Sequence, residues 1–203
     1  MKCLLPFFAM ISLVSAQDAI VENATPEVVN SAVNAVSDLG KQVVLGRYEV
    51  AIQRMYPQWK DRAAKRAGGM EKLEQQLDDV SKQMLAQGIS ITDFKPQGQP
   101  RAFEVGPGKV VEMVNGQQVE RLRYTKWMVL VPTVTTFRAM LQSTPVEVVI
   151  IESTSFQVAI SDKAALDWTF IDGSDLTVGD LRSIFGNLPL DLELPALEKK
   201  QVK

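Results

Sequence analysis

The spacing of apolar residues in this 203-residue chain changes at Gly88, and this change constrains the fold more than any other feature. Before Gly88 the apolar residues recur at helical spacing, and after it they follow the patterns of strands. Asn115-Gly116 lies between apolar stretches and is the strongest two-residue signal for a β-hairpin. Helices followed by hairpin-linked strands predict an α+β domain with N-terminal helices on a mostly antiparallel sheet, because parallel sheets alternate helices with strands.

Three helical segments are predicted before Gly88. The first begins at Thr25-Pro26-Glu27, where a hydroxyl N-cap precedes proline and an acid, and Gly40 is interpreted as the residue that ends it. The second covers residues 47–67 and is interrupted at Pro57, which is expected to begin its continuation. The third covers residues 70–87.

Strands and one short helix are predicted after Gly88. Gly106-Pro107-Gly108 predicts a turn, and the strand that returns from the hairpin covers residues 119–137 with a bend or an edge position at Pro132. A further strand covers residues 146–160. Residues 177–185 form a short helix, because their start has the spacing of a capping box.

Residues 1–16 have the pattern of a secretory signal peptide. Lys2 precedes an apolar stretch over residues 3–14, which is shorter than the roughly 20 residues that span a bilayer. Small residues near the end of this segment predict cleavage between Ala16 and Gln17. We therefore expect an exported protein, periplasmic or secreted, without stable membrane insertion after cleavage; a retained membrane anchor is the alternative.

The remaining chain is predicted to form one domain. Residues 17–25 are a short leader, residues 26–195 a single α+β domain, and residues 196–203 a polar C-terminal tail that is expected to be frayed. The sequence has no internal repeat and no shift in composition that would indicate a second domain.

The composition excludes several kinds of chemistry. The chain has no histidine and a single cysteine, Cys3, which lies in the predicted signal peptide. A Ser-His-Asp triad, an imidazole metal ligand and an intrachain disulfide are therefore impossible. The formal net charge of −2 argues against nucleic-acid binding. No cofactor and no metal site are predicted.

Three short sequences carry a resemblance to a known family. They are Met55-Tyr56-Pro57-Gln58-Trp59, Trp127-Met128-Val129-Leu130-Val131-Pro132-Thr133 and Asp167-Trp168-Thr169-Phe170-Ile171-Asp172-Gly173. Together with the order of helices and strands over residues 26–173, they resemble exported bacterial members of the NTF2-like (cystatin-like cone) superfamily whose function is unassigned. The resemblance implies a strongly curved sheet wrapped around a helix, with a hydrophobic pocket. Enzymes of the superfamily place aspartate, tyrosine or histidine in that pocket, and no such set can be matched to positions here.

Four side chains are candidates for a ligand site: Tyr56, Trp59, Trp127 and Glu152. Aromatic side chains with a polar tip are common in binding pockets, and the alternative is that these three are core residues. By alternation Glu152 shares a face with the apolar residues of its strand, where a carboxylate would act as a base or as an anchor for a ligand. The alternatives are a bulge that turns Glu152 outward, or a salt bridge to a neighbouring strand through Arg123, Lys126 or Arg138.

The sequence therefore predicts an exported, non-catalytic protein that binds a small apolar molecule or a protein partner, and a homodimer is compatible with it. Two alternatives stay open. One is a cone-type isomerase or dehydratase that uses a carboxylate–tyrosine pair for proton transfer. The other is a structural or interaction module whose pocket is filled by its own side chains.

Overall fold

Four helices precede the sheet in the computed structural model, which describes residues 24–141 and 147–202. Two of them begin at a proline, as predicted, because proline suits the first position of a helix. The predicted signal peptide, its cleavage site and residues 17–23 of the leader lie outside the described residues. The helices are α1 Pro26–Val44, α2 Glu49–Gln53, α3 Pro57–Ala67 and α4 Met70–Ala86, and a short α5, Val178–Ile184, follows later in the chain.

The sheet is built on two long antiparallel strands, β3 and β4. β3 pairs with β4 along one side. Along its opposite side, β3 pairs with β2 near the start of β3 and with β1 near the end of β3. The outer edge of β4 pairs with β5 and β6. All these pairings are antiparallel, and in the described ranges the sheet remains open. The predicted α+β architecture with an antiparallel sheet is therefore confirmed. The strands are β1 Ile89–Pro96, β2 Arg101–Val114, β3 Gln117–Leu141, β4 Glu147–Asp162, β5 Thr169–Asp172 and β6 Glu198–Gln201.

Pro132 lies inside β3 without ending it. On the side of β3 that faces β1 and β2, the partner strands leave a gap between Pro96 and Arg101. The backbone N–H of Gln97 donates to the carbonyl of Pro132 in this gap, at 2.9 Å. Proline lacks an N–H, and at this position no partner strand requires one. The predicted edge position is thus found on one side of Pro132, while the strand itself continues.

The predicted turn at Gly106-Pro107-Gly108 is wrong, because these residues lie within β2. Pro107 pairs with Tyr124 of β3. Gly106 has a φ of 67°, a conformation that glycine adopts without steric cost. A Cβ atom on Gly108 would lie 2.9 Å from Cγ2 of Thr125. The glycines therefore let the two strands approach closely and do not reverse the chain.

The β2–β3 hairpin extends beyond the rest of the sheet. Asn115 and Gly116 have φ values of 52° and 80°, as a tight hairpin turn of this type requires, so the predicted hairpin is confirmed. The pairing of β3 with β4 reaches only to Lys126, and residues 107–124 therefore form a two-stranded arm. Leu122 on this arm is 71% exposed.

The prediction that Gly40 ends the first helix is wrong. α1 continues to Val44, and Gly40 is buried inside it. A Cβ atom on Gly40 would lie 1.9 Å from Cδ1 of Phe94 in β1. The missing side chain therefore lets α1 pack closely against the sheet, and this contact explains the glycine.

Two apolar clusters cover opposite faces of the sheet. Alternate side chains of a strand point to opposite faces, so Met128 packs on the face covered by α5, whereas Trp127 packs on the face covered by α1. The α5-face cluster contains Tyr56, Phe103, Val105, Met128, Leu130, Phe156, Val158, Ile160, Ile171, Leu176, Leu181, Phe185, Leu188 and Leu192. The α1-face cluster contains Ala32, Val36, Leu39, Trp127, Val129, Val131, Ala159, Trp168 and Phe170.

The capping box of α5 is confirmed. The hydroxyl of Thr177 accepts from the backbone N–H of Asp180 at 3.1 Å, and the carboxylate of Asp180 accepts from the backbone N–H of Thr177 at 3.1 Å. The hydrogen bonds from Thr177 hold the pKa of Asp180 below its ordinary value. Of the described helices, none has both the length and the apolar character needed to cross a membrane.

The expectation of a frayed C-terminal tail is wrong for Glu198–Gln201. These residues form β6, whose side chains are exposed while its backbone pairs with β4. Backbone pairing at a sheet edge needs no apolar side chains, so nothing in this polar stretch indicates a strand. Lys200 lies opposite Glu152 in the ladder.

Candidate functional site

The structure does not bring the four predicted site residues together. Tyr56 belongs to the α5-face cluster and Trp59 packs against it, whereas Trp127 belongs to the α1-face cluster. The sheet therefore separates Trp127 from the other two aromatic side chains. Glu152 lies near the start of β4, beside β6.

Contacts within the protein explain the three aromatic residues. The ring of Tyr56 lies 5.7 Å from the ring of Phe185, and burial, with the charge of Asp162, raises the pKa of the Tyr56 phenol above its ordinary value. The guanidinium of Arg66 lies 5.1 Å from the ring centre of Trp59. In the same way, the ammonium group of Lys163 lies 4.4 Å from the ring centre of Trp127.

Glu152 is an ion-pair residue at the sheet edge. The β3–β4 register is regular around it, so its side chain lies on the face that alternation predicts. Its Oε2 atom lies 3.1 Å from Nζ of Lys200, and the two side chains are 33% and 55% exposed. The salt bridge that was the alternative to a functional role is present, but its partner comes from β6.

We expect Glu152→Gln to change the free energy of unfolding by less than about 1 kcal/mol, because a partly exposed ion pair contributes little. Urea denaturation measures this change. Lys200→Gln is the control, and the double variant should be no less stable than the less stable single variant. A loss of several kcal/mol for Glu152→Gln alone would show that this carboxylate has a different role.

A cleft of about 1050 Å³ lies between α1 and the segment that leads into β5. One wall is a face of α1. The opposite wall combines Val50 and Arg54 of α2 and its end with Leu166 and Asp167, which precede β5. The side chains that line the cleft are those of Glu27, Asn30, Ser31, Asn34, Ala35, Asp38, Leu39, Gln42, Val50, Arg54, Leu166, Asp167, Trp168 and Phe170.

Four polar side chains follow one another along the α1 wall at intervals of four residues. We call Asn30, Asn34, Asp38 and Gln42 the polar ladder, because neighbouring members are adjacent on the helix surface and the row turns around the helix by only about 40° per step. Asp38 accepts from Lys41 at 2.7 Å and Gln42 accepts from Arg47 at 3.1 Å. Within the described part of the chain, the side-chain amides of Asn30 and Asn34 form no hydrogen bond. They are therefore available to a ligand.

Trp168 and Phe170 form the floor of the cleft. Hydrogen bonds hold this floor to α1 and to the end of α2. The buried indole N–H of Trp168 donates to Oγ of Ser31 at 3.0 Å. The backbone N–H of Phe170 donates to the carbonyl of Arg54, and the N–H of Tyr56 donates to the carbonyl of Phe170, both at 2.8 Å. These bonds fix the floor relative to both walls.

Replacing Ser31 with Ala should destabilise the protein by about 1–3 kcal/mol, because the buried N–H of Trp168 would lose its acceptor. Ser37→Ala on the same helix is the control, and no loss of stability is expected from it, since alanine favours the helix. Thermal denaturation followed by tryptophan fluorescence measures both variants. Equal stability of the two variants would contradict a structural role for the hydrogen bond.

The second wall carries the charged pair of the cleft. Nη1 of Arg54 lies 2.6 Å from Oδ1 of Asp167, and both side chains are more than half exposed. The preceding residue, Leu166, has a φ of 50°, which residues other than glycine rarely adopt. Such strain recurs at functional sites, where the surrounding structure maintains it. The cleft thus combines three carboxylates, those of Glu27, Asp38 and Asp167, with one guanidinium.

Elsewhere in the described parts of the chain, the acidic side chains do not form a metal site. Among the described residues no group of three or more acidic or cysteine side chains is arranged to hold a metal ion. Asp172 accepts from the side chain of Gln157 at 2.7 Å and from the backbone N–H of Ser174 at 2.8 Å.

Sequence reasoning missed the cleft, because polar residues four apart on an amphipathic helix have the pattern of a solvated face. One signal was available. Asn30 and Asn34 occupy exposed positions inside α1, where asparagine is less favourable than alanine, lysine or glutamate. The two asparagines are four residues apart and are therefore adjacent on the surface of α1.

The chain matches no family model, no curated protein and no solved structure. The resemblance to the NTF2-like superfamily therefore stays a prediction.

Proposed function

We propose that this protein is an exported, non-catalytic binding protein whose ligand site is the cleft along α1. The observation that carries the proposal is the pair of side-chain amides of Asn30 and Asn34. They line the cleft without a hydrogen-bond partner in the described part of the chain, at helix positions where asparagine is unfavourable. Each amide offers both donors and an acceptor, which suits recognition of a polar ligand.

The chemistry of the cleft favours a polar ligand over the small apolar molecule that the sequence predicts. On the α5 face of the sheet, Phe103, Met128, Leu130 and Phe156 are almost completely buried against other parts of the protein. On the α1 face, Val129, Val131 and Ala159 are completely buried as well. The protein's own side chains therefore fill the space that either face of a curved sheet would offer to an apolar group. The cleft instead presents amides, a hydroxyl and charged groups above a buried aromatic floor.

Binding is favoured over proton transfer. A cone-type isomerase or dehydratase needs a carboxylate and a tyrosine hydroxyl close to one another. Tyr56 is buried beside Phe185, with the two ring centres 5.7 Å apart. Across the described residues, no tyrosine hydroxyl is hydrogen-bonded to a carboxylate.

The proposal includes a strongly curved sheet. A sheet that is curved around α1 would give the chain the architecture of an NTF2-like cone. Two features support it: the helices precede the strands, and the long strand β3 pairs along one side with two successive strands.

Native mass spectrometry of the protein purified from its own source tests the binding function. We expect a bound mass that disappears on denaturation and is reduced in Asn30→Ala/Asn34→Ala. That variant should be slightly more stable than the natural protein, because alanine favours the helix by about 0.5 kcal/mol per site. Gln75→Ala/Gln83→Ala on α4 is the control, since it removes two exposed amides outside the cleft. An equal bound mass in both variants would contradict the cleft as the site.

Export is tested by expression with the natural N-terminus in a Gram-negative host. We expect the protein in the periplasmic fraction with Gln17 as its first residue, because signal peptidase cleaves after small residues. N-terminal sequencing and cell fractionation measure this. A full-length N-terminus in the membrane fraction would contradict export and favour the retained anchor.

A further inference from the structure

We propose that the ligand of the cleft is a polypeptide segment in extended conformation, whose backbone forms hydrogen bonds with the polar ladder of α1. This inference rests on the proposed function and names the class of ligand that the cleft takes. The sequence of such a segment is recognised weakly, because the contacts are made to its backbone.

The spacing of the polar ladder matches an extended peptide. Four residues of an α-helix rise by about 6 Å, and two residues of an extended chain by about 6.4–6.8 Å. Every second residue of an extended peptide points its backbone N–H and C=O to the same side. Successive rungs of the ladder therefore meet successive peptide units of the same orientation.

The chemistry of the rungs matches a peptide unit. A side-chain amide has donors and an acceptor, so one asparagine can accept from a backbone N–H and donate to a backbone C=O of the same peptide. Asn30 and Asn34 are free for this among the described residues. Gln42 keeps its amide donors, because only its oxygen is engaged, by Arg47 at 3.1 Å.

The dimensions of the cleft indicate a chain segment. From Asn30 to Gln42 the ladder extends along α1 for roughly 18 Å, the length of five to six extended residues. The cleft volume of about 1050 Å³ lies at the upper limit of pockets for small ligands. A single small metabolite would contact only part of the ladder.

The binding mode must use side chains, since the nearby sheet edge is occupied. The backbone of β5 would otherwise be available to an added strand. Arg54 and Tyr56 already exchange hydrogen bonds with Phe170 of β5, and Met55 forms a parallel bridge to it. The ladder is therefore the part of the cleft that can hold a peptide backbone.

The charges of the cleft select among peptides. Asp38 is paired with Lys41 and Asp167 with Arg54, and among the described residues the lining carboxylate of Glu27 forms no ion pair. Coulomb interactions therefore favour a neutral or lysine-containing segment over an acidic one. This preference should weaken as salt is added, because the groups are exposed.

A library of random decapeptides displayed on phage is the probe. Selections on the natural protein, on Asn30→Ala/Asn34→Ala and on Gln75→Ala/Gln83→Ala run in parallel. We expect enriched peptides that bind the natural protein and the Gln variant equally, and the Asn variant at least about tenfold more weakly, since two hydrogen bonds are lost.

Backbone methylation then tests the extended geometry. The best enriched peptide is made in two forms, N-methylated either at its odd or at its even residues. We expect one form to lose about tenfold or more in affinity and the other to bind like the parent, because only one set of N–H groups faces the ladder. Equal binding of both forms and the parent would overturn the inference.

Failure of the inference can be told from failure of the proposed function. A panel of soluble oligosaccharides and polar metabolites is titrated against the same three proteins. If the binding of one of these compounds depends on Asn30 and Asn34 and the binding of no peptide does, the cleft is supported as the ligand site and the proposal of a peptide ligand is overturned. If no peptide, sugar or metabolite depends on the two asparagines, both proposals are overturned.

Discussion

Gly40→Ala should destabilise the protein by roughly 1–3 kcal/mol or more, as overpacking of a well-packed contact does. The added Cβ atom would lie 1.9 Å from Cδ1 and 2.6 Å from Cε1 of Phe94. The helix preference has the opposite sign, because alanine is favoured over glycine by about 0.8–1.0 kcal/mol inside a helix. We expect the steric conflict to outweigh this gain, and urea denaturation measures the net change.

Two further variants identify the cause. Gly179→Ala, within α5, is the control, since its nearest atom outside its chain neighbours would be 3.6 Å from the new Cβ, and it should not destabilise the protein. Phe94→Leu combined with Gly40→Ala should recover part of the loss, because a smaller side chain leaves room for the methyl group. If Gly40→Ala stabilised the protein as Gly179→Ala does, the close packing of α1 against β1 would be contradicted.

Leu130→Ala should cost about 2–5 kcal/mol, because it removes a fully buried side chain and leaves a cavity. Leu122→Ala is the control on the same strand, and it should stay within about 0.5 kcal/mol of the natural protein. The two leucines lie on the same face of β3, but Leu122 is 71% exposed on the arm and Leu130 is completely buried.

Thermal or urea denaturation of these two variants tests whether the α5 face of the sheet is filled. A cavity in a dense core carries the full cost of the lost contacts, whereas a side chain beside an open pocket would lose fewer of them. A loss below about 1 kcal/mol for Leu130→Ala would indicate an open space on this face, and it would favour the apolar ligand that the sequence predicts.

Features that depend on neighbouring residues could be predicted from the sequence. The helix starts at Pro26 and Pro57 follow from the fixed φ of proline, and the hairpin at Asn115-Gly116 follows from their tolerance of positive φ. The capping box of α5 needs only Thr177 and Asp180 three residues apart.

Features that depend on distant residues could not be predicted in this way. Gly40 has the sequence pattern of a helix end, and only its contact with Phe94 shows another role. β6 exists because its backbone reaches the free edge of β4, which its polar side chains do not indicate. The same holds for Gly106-Pro107-Gly108, whose strand conformation depends on the partner strand β3.

The candidate site also depends mainly on residues that are distant in the sequence. The aromatic residues predicted to form a pocket lie on both faces of the sheet, and sequence alternation alone could not show which helix covers each face. Trp168 is an aromatic residue of the kind that lines pockets, and only the structure shows that its hydrogen bond to Ser31 joins the floor of the cleft to α1. The polar ladder becomes visible as a site only when α2 and the segment before β5 are placed opposite it.

The most direct test of the cleft is an NMR titration that follows the side-chain amide groups of the protein. The ligand is the molecule found by native mass spectrometry or the best enriched peptide, and the Asn30 and Asn34 signals are assigned from their single alanine variants. We expect these two signals to shift in proportion to occupancy, while those of Gln75 and Gln83 on α4 stay unchanged. Binding with no change at Asn30 and Asn34 would contradict the cleft along α1 as the ligand site.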